Sequence, residues 1–364
     1  MRILHIMGGA DAGGVAMVVY NYMRYIDQKR FHFDFALTGH QPGMLGKKMI
    51  DLGANYYPLP LKSDGVKKFE LALKDLLEKE QFDAIHVHEN STSYVALRIA
   101  KKCGIKCRIA HAHTAGEPYG LKNRLIVQSG RILNNYYATN LIGCGQKAGE
   151  LVFGTNAMKN KKAIVLPNSI ESELFRFDPV IRKQVRQELN ARNRYVIGMV
   201  GRLELEKNYS FVLPVIRELH NYMSDIMLII AGSGDQENEL KKYCNDNHMN
   251  DYVQFMGVRT DIERIYQGMD VFILPSIYEG FPVVGLEAIA AGLPVLLSDR
   301  ITPELGFSKG VEYIPLVDKR WVNALANRPL NLTRETGELE IKENHFDIKD
   351  TAQILQRIYE KAER

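Results

Sequence analysis

Residues 271–299 read VFILPSIYEGFPVVGLEAIAAGLPVLLSD. The stretch begins with an apolar run typical of a buried strand, VFILPS, and continues through a short loop into VVGLEAIAAG, which has the composition of a helix. A second apolar run, LPVLLSD, follows directly. A strand, a helix and a second strand at this spacing form a unit that joins two parallel strands of one sheet. The stretch therefore predicts an α/β fold.

The same alternation extends towards both ends of the chain. Before residue 271, helical patterns separate further strand patterns, YVIGMVGRL, IMLIIAGSGD and YVQFMG. In the N-terminal half the strand patterns are RILHIM, FHFDFAL, DAIHVHE and KCRIAHAHT, again with amphipathic helices between them. This predicts two Rossmann-like domains, each with a doubly wound parallel sheet, facing each other across a ligand-binding cleft.

A break in the apolar pattern predicts the domain boundary. Pro167 and Asn168 interrupt the periodicity, so we expect an N-terminal domain over 1–170 and a C-terminal domain over 171–346. The last helix, over about 347–364, is expected to pack back on the N-terminal domain. A chain of 364 residues is long enough for two domains.

Composition excludes several classes of protein. Hydrophobic residues make up 46% and charged residues 25% of the chain, which excludes a disordered, coiled-coil or collagen-like protein. No run of 18 apolar residues predicts a membrane-spanning helix, and the N-terminal apolar run is too short for a signal peptide. The four cysteines form no CxxC pair, as expected of reduced thiols, so we expect a cytoplasmic protein.

Charge is distributed unevenly along the chain. Residues 1–170 contain 23 Lys and Arg against 13 Asp and Glu, whereas residues 171–364 contain 24 against 30. Ordinary solvated lysines would account for this pattern, and so would an anionic partner. The basic half is rich in lysine and lacks aromatic or arginine clusters. We therefore expect it to bind an anionic membrane surface, on the inner face of the cytoplasmic membrane, and not a nucleic acid. The lysines concerned are Lys47, Lys48, Lys62, Lys67, Lys68, Lys101, Lys102 and Lys122.

Glycines follow the first predicted strand. Gly8, Gly9, Gly13 and Gly14 stand between that strand and the first helix, where a backbone without side chains can approach a phosphate closely. The spacing is not GxGxxG. A tight strand-to-helix turn would use the same residues.

A pair of cations follows a strand of the second half. In GRLELEKN, Arg202 and Lys207 are five residues apart, so both can converge on one diphosphate and neutralise a leaving group without a metal ion. A surface salt bridge to Glu204 or Glu206 would also explain Arg202.

Two glutamates lie in the stretch quoted first. Glu279 is on the loop after VFILPS, and Glu287 follows eight residues later inside an otherwise apolar helix. A carboxylate there is costly unless it is bonded, and sugar hydroxyls are suitable partners. Pro282 suits the first helical position, which predicts free N–H groups on the following residues as an anion site. Those residues are Val283, Val284 and Gly285.

Taken together, these motifs resemble the retaining nucleotide-sugar glycosyltransferases of family 4, which have the GT-B fold. The resemblance covers nearly the whole chain and rests on the N-terminal glycine turn, IAHAHT, LPNSIE, GRLELEKN, AGSGD, VQFMG and the E-x7-E segment. HAHT and the basic N-terminal half are most similar to transferases of bacterial capsule and exopolysaccharide biosynthesis.

The resemblance implies a role for each residue of these motifs. Gly13 and Gly14 would approach the donor diphosphate, and Arg202 and Lys207, beside Gly201, would bind it and stabilise the leaving nucleotide. Glu279 would bind the transferred sugar, together with the backbone of Gly280, Phe281, Val283 and Val284. Glu287 would bind the ribose, and Val258 and Arg259 would line the base. His113 (or His111 of the same motif) would lie near the reacting sugar.

The resemblance also implies a reaction. The sugar would pass with retention of configuration from a nucleotide-sugar, with uridine as the expected base, to a lipid-linked or oligosaccharide acceptor. No protein nucleophile is implied, and neither a metal ion nor another cofactor is expected.

Three alternatives share some of these features. Two HxH pairs, His86 with His88 and His111 with His113, lie at the ends of predicted strands and could bind zinc in a metallohydrolase. Packing or hydrogen bonding would explain the same histidines. A sugar-nucleotide epimerase or a non-catalytic sugar-nucleotide binder would share the fold and the donor site.

Overall fold

The structure is a computed structural model that describes residues 1–10, 14–114, 116, 120–327 and 333–363. The chain forms two compact units. The first consists of Met1–Ser169 together with the segment from Ile348 onward, and the second of Ile170–Asp347. Across the described residues, no helix combines the length and the apolar character needed to cross a bilayer.

The first unit contains a seven-stranded sheet in which every pairing is parallel. The strand order is β3-β2-β1-β4-β5-β6-β7, so the direction of winding reverses between β1 and β4. The strands are β1 Arg2–Met7, β2 His32–Thr38, β3 Tyr56–Leu59, β4 Ala84–Val87, β5 Cys107–Ala112, β6 Asn140–Gly143 and β7 Ala163–Val165. The helices between them are α1 Gly14–Tyr25, α2 Met44–Asp51, α3 Val66–Lys79, α4 Tyr94–Lys102, α5 Gly120–Tyr137, α6 Gln146–Phe153 and α7 Thr155–Lys159.

The second unit contains a six-stranded parallel sheet of order β10-β9-β8-β11-β12-β13, which reverses between β8 and β11. Its strands are β8 Tyr195–Val200, β9 Ile226–Ala231, β10 Val253–Gly257, β11 Val271–Leu274, β12 Val295–Ser298 and β13 Val311–Ile314. Its helices are α8 Ser172–Phe175, α9 Pro179–Glu188, α10 Tyr209–Tyr222, α11 Glu237–Asp246, α12 Ile262–Gly268, α13 Val283–Ala290, α14 Asp318–Ala326 and α15 Gly337–Glu343.

The last helix, α16 Ile348–Glu363, belongs to the first unit. Its apolar residues recur at helical spacing and enter the same core as β1 and α1. A hydroxyl of this helix reaches the middle of the sheet, because the Tyr359 Oη lies 2.8 Å from Nδ1 of His86 on β4. The core residues of α16 are Ile348, Ala352, Leu355, Ile358 and Tyr359.

Both units therefore have the predicted doubly wound parallel sheet. In such sheets ligands bind at the carboxyl ends of the strands, at the point where the winding reverses. That point lies between β1 and β4 in the first unit and between β8 and β11 in the second.

Candidate active site

In the second unit, the loops after β8 and β11 meet where the winding reverses. Lys207, after β8, and Glu279, after β11, form an ion pair with 2.6 Å between Nζ and Oε1. The hydroxyl of Ser276 donates to the same oxygen at 2.7 Å. Among the described residues no hydrogen bond is formed to Oε2 of Glu279, so that oxygen can accept from a ligand hydroxyl.

Backbone contacts fix these two loops to each other. The side-chain amide of Asn208 donates to the Pro275 carbonyl at 3.1 Å, and the N–H of Ile277 donates to the Glu206 carbonyl at 2.8 Å. Asn208 adopts a left-handed conformation with φ of 61°, which asparagine tolerates better than most residues. The pairing of Lys207 with Glu279 is thus set by the backbone as well as by charge.

Arg202 lies on the same loop but is held differently. Its guanidinium pairs with Glu204 and is 3.8 Å from Glu206, as in the salt-bridge alternative. The side chain is nevertheless 65% exposed, and exposed ion pairs are weak. Arg202 can therefore exchange these carboxylates for an anionic ligand at small cost.

Close approach of two loops explains a glycine of AGSGD. A Cβ at Gly232 would lie 1.9 Å from the carbonyl oxygen of Gly201, and φ of Gly232 is +144°. Both the close approach and the backbone conformation require glycine at this position. The loop after β9 therefore packs directly against the start of GRLELEKN.

Glu287 is bonded inside the second unit. The hydroxyl of Tyr266, on α12, donates to its Oε2 at 2.8 Å. Burial raises the pKa of Glu287 to about 7, and the Tyr266 hydroxyl opposes this rise. Sequence reasoning missed Tyr266, because nothing in the pattern of IERIYQGM distinguishes a core tyrosine from a hydrogen-bond partner of a distant carboxylate.

The start of α13 differs from the prediction. Pro282 is the residue before the helix, not its first residue, and α13 begins at Val283. The expectation of three free N–H groups is wrong, since the Val283 N–H donates to the Phe281 carbonyl and the Gly285 N–H to the Pro282 carbonyl. The tight turn at Pro282 satisfies these groups locally, which leaves the predicted anion site weaker than expected.

Other predicted donor residues lie on the same edge of this sheet. Val258 and Arg259 directly follow β10, and Val258 is exposed. The guanidinium of Arg259 makes two hydrogen bonds to Asp261, at 2.8 and 2.9 Å. The ring of Phe281 is buried and stacks on Phe346 at 5.6 Å, so its side chain belongs to the core and a ligand could meet only its backbone.

In the first unit, five histidine rings form one cluster, which we call the histidine cluster. His5 on β1 is in register with His86 on β4, and the remaining rings lie on or just after β4 and β5. Adjacent ring centroids are 4.1–5.3 Å apart. Sequence reasoning found four of these residues and missed His5. The cluster consists of His5, His86, His88, His111 and His113.

Hydrogen bonds join these rings into two chains. One chain runs from His5 Nδ1 to His88 Nε2 at 3.0 Å and from His88 Nδ1 to His113 Nε2 at 2.8 Å. The other joins His86 Nε2 to His111 Nδ1 at 3.1 Å and ends on Tyr359. Burial lowers the pKa of each ring, to about 3 for His5 and His113, so the cluster is neutral near pH 7.

The same nitrogens bear on the zinc alternative. Two trios have ring nitrogens within 4.8 Å of one another, His5-His86-His88 and His88-His111-His113. Neutral imidazoles are the form that binds zinc. The facing nitrogens, however, are at hydrogen-bond distance and share hydrogens, which a metal ion would have to displace.

The surroundings of His113 connect it to α5. Its backbone N–H donates to the side-chain oxygen of Asn90 at 2.7 Å, and the Asn90 carbonyl accepts from the Asn134 amide on α5 at 3.1 Å. Gly14 begins α1, and a Cβ there would meet no atom of the described residues within 4 Å. Gly13 lies outside the described residues.

Comparison with known proteins identifies the family. The group 1 glycosyl transferases match residues 180–307, and Glycosyltransferase Family 4 matches residues 12–174. EpsF of Bacillus subtilis, whose name places it among the glycosyltransferases, is 31% identical over 85% of this chain and 82% of its own length. The chain belongs to the group 1 glycosyltransferases. It is therefore an enzyme of the glycosyltransferase class, which decides against the metallohydrolase, the epimerase and the non-catalytic binder.

Further relatives of this glycosyltransferase family are more distant. An Escherichia coli UDP-Gal:alpha-D-GlcNAc-diphosphoundecaprenol alpha-1,3-galactosyltransferase is 30% identical over 57% of the chain and 55% of its own length. Among solved structures, Anabaena HepE in complex with UDP aligns with a TM-score of 0.82 at 16% identity, covering 99% of this chain and all of that one. At that identity the match establishes the GT-B fold.

Proposed function

We propose that the protein transfers a sugar, with retention of configuration, from a UDP-sugar to a lipid-linked acceptor in the assembly of a capsular or extracellular polysaccharide. The ion pair between Lys207 and Glu279 carries the proposal. It joins a phosphate-binding cation to a hydroxyl-binding carboxylate where the winding of the second sheet reverses.

The donor would bind to the second unit. Arg202 and Lys207 would bind the diphosphate, while the unbonded Oε2 of Glu279 would accept a hydroxyl of the sugar. Glu287 would accept the ribose hydroxyls through the oxygen that does not bond Tyr266. Two structures of Anabaena HepE, which has the same fold, are complexes with UDP and with UDP-glucose. They favour uridine as the base.

The chemistry would be electrostatic. As the bond between sugar and diphosphate breaks, negative charge grows on the leaving phosphate, and Arg202 and Lys207 would stabilise that charge. The acceptor hydroxyl would attack from the same face and pass its proton to the departing phosphate oxygen. Since the two cations supply the stabilisation, no metal ion or other cofactor is proposed. The E. coli relative is named for an alpha-linked product, which is in keeping with retention.

Helix α5 supports a position at a membrane. Apolar side chains that are 58–75% exposed recur along one side of it, whereas its buried side contains Gly130 and Asn134. The helix has three basic residues and no acidic one, and the Lys101 ammonium lies 4.4 Å from the centre of the Tyr136 ring. An apolar stripe flanked by cations suits an interface rich in anionic lipid. We call Leu121, Leu125, Ile132 and Tyr136 the α5 apolar face.

Of the eight lysines expected to meet this surface, seven are exposed. Lys62 is the exception, because it forms an ion pair with Glu89 and is half-buried. A lipid-linked acceptor would be delivered at such a surface. The E. coli relative acts on a diphosphoundecaprenol-linked sugar, as its name states.

Thermal shift tests the donor. UDP-sugars should raise the melting temperature without added metal, while GDP- and ADP-sugars should not, because a ligand of the folded state stabilises by mass action. Arg202→Ala should abolish most of the shift. Arg217→Ala, which removes an exposed arginine of α10, is the matched control and should retain it.

Two results would contradict the proposal. One is stabilisation by GDP- or ADP-sugars in place of UDP-sugars, and the other is an equal shift in Arg202→Ala and wild type. Retention is tested separately, by determining the anomeric configuration of the product by NMR on an undecaprenyl-diphosphate-linked sugar acceptor.

A further inference from the structure

Arg334 bonds the carboxyl ends of two helices of the second unit, α12 and α13. Its guanidinium donates to the carbonyl of Ala291, directly after α13, at 3.0 Å, and to the carbonyl of Tyr266 on α12 at 3.3 Å. Two further carbonyls at the end of α12 accept from it, those of Gln267 and Met269, at 3.3 and 3.2 Å. Carbonyls at the end of a helix have no partner within the helix, and a cation there also meets the negative end of the helix dipole. One side chain thus joins the ends of both helices.

The main chain around Arg334 packs directly against the end of α13. A Cβ on Gly292 would lie 2.2 Å from the carbonyl oxygen of Arg334, and one on Gly337 would lie 2.1 Å from the carbonyl oxygen of Ile289. Both close approaches require glycine. The guanidinium carbon of Arg334 also lies 4.2 Å from the centre of the Phe177 ring, which favours its positive charge. Arg334 is therefore fixed through its backbone as well as through its side chain.

Arg334 stays charged over the pH range in which Glu287 titrates. Burial and the neighbouring Arg182 guanidinium lower the pKa of Arg334 to about 9, whereas burial raises the pKa of Glu287 to about 7. Within the part of the chain that the structure describes, Arg334 forms no ion pair and donates to carbonyl oxygens alone. Its contacts with the two helices are therefore the same whether Glu287 is charged or neutral.

The hydroxyl of Tyr266 has one hydrogen and two acceptors within reach. Oε2 of Glu287 lies 2.8 Å from it and the carbonyl oxygen of Val284 lies 3.2 Å from it, both on α13. Burial raises the pKa of Tyr266 well above its usual value, so the hydroxyl keeps its hydrogen. Two charged side chains also act on Glu287, since Glu263 raises its pKa and Lys207 lowers it. A small displacement of α12 against α13 would exchange the carboxylate for the carbonyl as the acceptor.

The contacts of Arg334 restrain that displacement. On α12 it bonds the carbonyl of Tyr266 itself. After α13 it bonds the carbonyl of Ala291, and the N–H of Ala291 donates to the carbonyl of Glu287 at 3.0 Å. The donor and the acceptor of the hydrogen bond therefore project from main chain that a single guanidinium connects.

We propose that Arg334 is a positioning residue of the donor site, which holds α12 against α13 so that the Tyr266 hydroxyl bonds the Glu287 carboxylate. Its effect on donor binding rests on the proposed function. Its effect on the carboxylate does not, because all of these contacts lie within the second unit and need no ligand.

Arg182 supplies a matched control. Its guanidinium donates to two of the carbonyls that Arg334 bonds, those of Gln267 and Met269, at 3.0 and 2.7 Å. Among the described residues it makes no hydrogen bond to Tyr266 or to α13. Arg182→Met therefore weakens the end of α12 without removing the connection between the two helices.

Carbon NMR of the protein labelled with ¹³C at the glutamate carboxyl groups measures the pKa of Glu287 without a ligand. Its signal is assigned by its loss in Glu287→Gln. We expect Tyr266→Phe and Arg334→Met each to raise this pKa by about half to one pH unit, the effect of one hydrogen bond. Arg334→Lys should raise it equally, because one ammonium nitrogen keeps the charge but cannot span both helices. Arg182→Met should leave it unchanged.

A double variant separates positioning from the electric field of the guanidinium. If Arg334 acts through the Tyr266 hydroxyl, Arg334→Met should raise the pKa of Glu287 no further in a protein that already carries Tyr266→Phe. A cation that acts by its own field would raise the pKa there as much as in the wild type, which would overturn the inference.

Donor binding adds a second readout. At pH 7.5 the Kd for UDP-glucose should rise about two- to threefold in Arg334→Met, because a smaller fraction of Glu287 is charged. It should stay unchanged in Arg182→Met. If the pKa changes as expected and the Kd does not, the role of Glu287 in the proposed donor site fails and the positioning role of Arg334 stands.

Three further results would overturn the inference. They are a Glu287 pKa that folded Arg334→Met leaves unchanged, one that Arg182→Met raises equally, and one that Tyr266→Phe leaves unchanged. Circular dichroism establishes that each variant is folded. Arg334→Lys takes the place of Arg334→Met if the latter does not fold, and the Tyr266→Phe result needs no change at Arg334.

Discussion

Glu287 and Tyr266 show how one residue contact changes the chemistry of a site. A carboxylate in the apolar helix α13 has a pKa of about 7 because burial disfavours its charge. The Tyr266 hydroxyl donates to the carboxylate and so favours the charged form. A carboxylate with such a pKa changes charge within the physiological pH range, and any ligand that needs it charged will bind in a pH-dependent way.

We therefore predict that UDP-glucose binding weakens as pH falls. If the ribose requires the charged form of Glu287, the Kd should rise by up to about tenfold between pH 8 and pH 6, since protonation removes an acceptor. Glu287→Gln should bind weakly and without this pH dependence. Calorimetry at several pH values measures it, with UDP-glucose as the probe because it lacks a titrating terminal phosphate.

Tyr266→Phe provides the companion test. Without the donated hydrogen bond, the carboxylate loses one of the groups that lower its pKa, and the midpoint of the pH dependence should move to higher pH. Binding that is equally strong from pH 6 to pH 8 in the wild type would contradict a role for Glu287 in binding the nucleotide.

At the scale of an element, α5 has its apolar side outward. Gly130 packs so closely against Ser91 that a Cβ on it would lie 2.1 Å from the Ser91 carbonyl oxygen. Asn134, on the same buried side, donates to the carbonyl of Asn90. Spacing of four, seven and four residues places the α5 apolar face on one side of the helix, opposite Gly130. Helix packing in the first unit therefore leaves leucine and isoleucine exposed.

We predict that α5 binds the protein to vesicles. The triple variant Leu121→Ser, Leu125→Ser, Ile132→Ser should lose most of the sedimentation with vesicles containing anionic lipid, since it removes the apolar area that enters the interface. Its Kd for UDP-glucose should not change. Co-sedimentation with anionic and with neutral vesicles is the measurement.

Leu71→Ser is the matched control, because Leu71 is 69% exposed on α3, outside the α5 apolar face. It should sediment as the wild type does. Equal binding of the triple variant would contradict the prediction. A second contradicting result would be that the wild type does not bind vesicles but forms dimers through α5. Light scattering would show this as a dimeric wild type and a monomeric triple variant.

At the scale of the whole molecule, the histidine cluster of the first unit and Glu287 of the second change stability in opposite directions as the pH falls. The histidine cluster is neutral in the folded first unit, because burial lowers its pKa values. In the unfolded chain these rings bind protons below about pH 6.5. The stability that the neutral cluster contributes is therefore fully present above that pH and is lost as the pH falls towards the folded pKa values. The raised pKa of Glu287 acts in the reverse sense, since the folded second unit then binds more protons than the unfolded chain below about pH 7.

We predict that mild acid selectively destabilises the first unit. At pH 5 each buried histidine costs roughly 2 kcal/mol relative to pH 8, from the protons taken up on unfolding. The single tryptophan, Trp321, is buried in the second unit and reports on that unit alone. In urea titrations, circular dichroism should show a transition that moves to lower urea at pH 5, while the tryptophan transition should move little.

His5→Phe is the control for the source of this effect and should show a smaller acid shift than the wild type. A tryptophan transition that moves as far as the circular dichroism would contradict the assignment of the acid sensitivity to the first unit.

Much of the fold follows from local patterns. The strands and helices around the quoted stretch were predicted because their apolar periodicity records their own burial, and both sheets have the predicted parallel winding. The strands β3, β6, β7 and β13 were not predicted, nor were the helices α5, α6, α7, α8, α9, α14 and α15. The strands β3, β7 and β13 each bury a single residue, too few for a recognisable apolar run, and the apolar side of α5 does not face the core.

The sequence by itself determined the α/β class, the two sheets and the motif residues Arg202, Lys207, Glu279 and Glu287, because spacing along the chain is enough to place residues at strand ends. The tertiary structure alone decided which partners they have. Tyr266 reaches Glu287 from another helix, and His5 joins His88 from another strand, over a separation of 83 residues. Such contacts depend on how strands are ordered in a sheet, and the order depends on the packing of the entire unit.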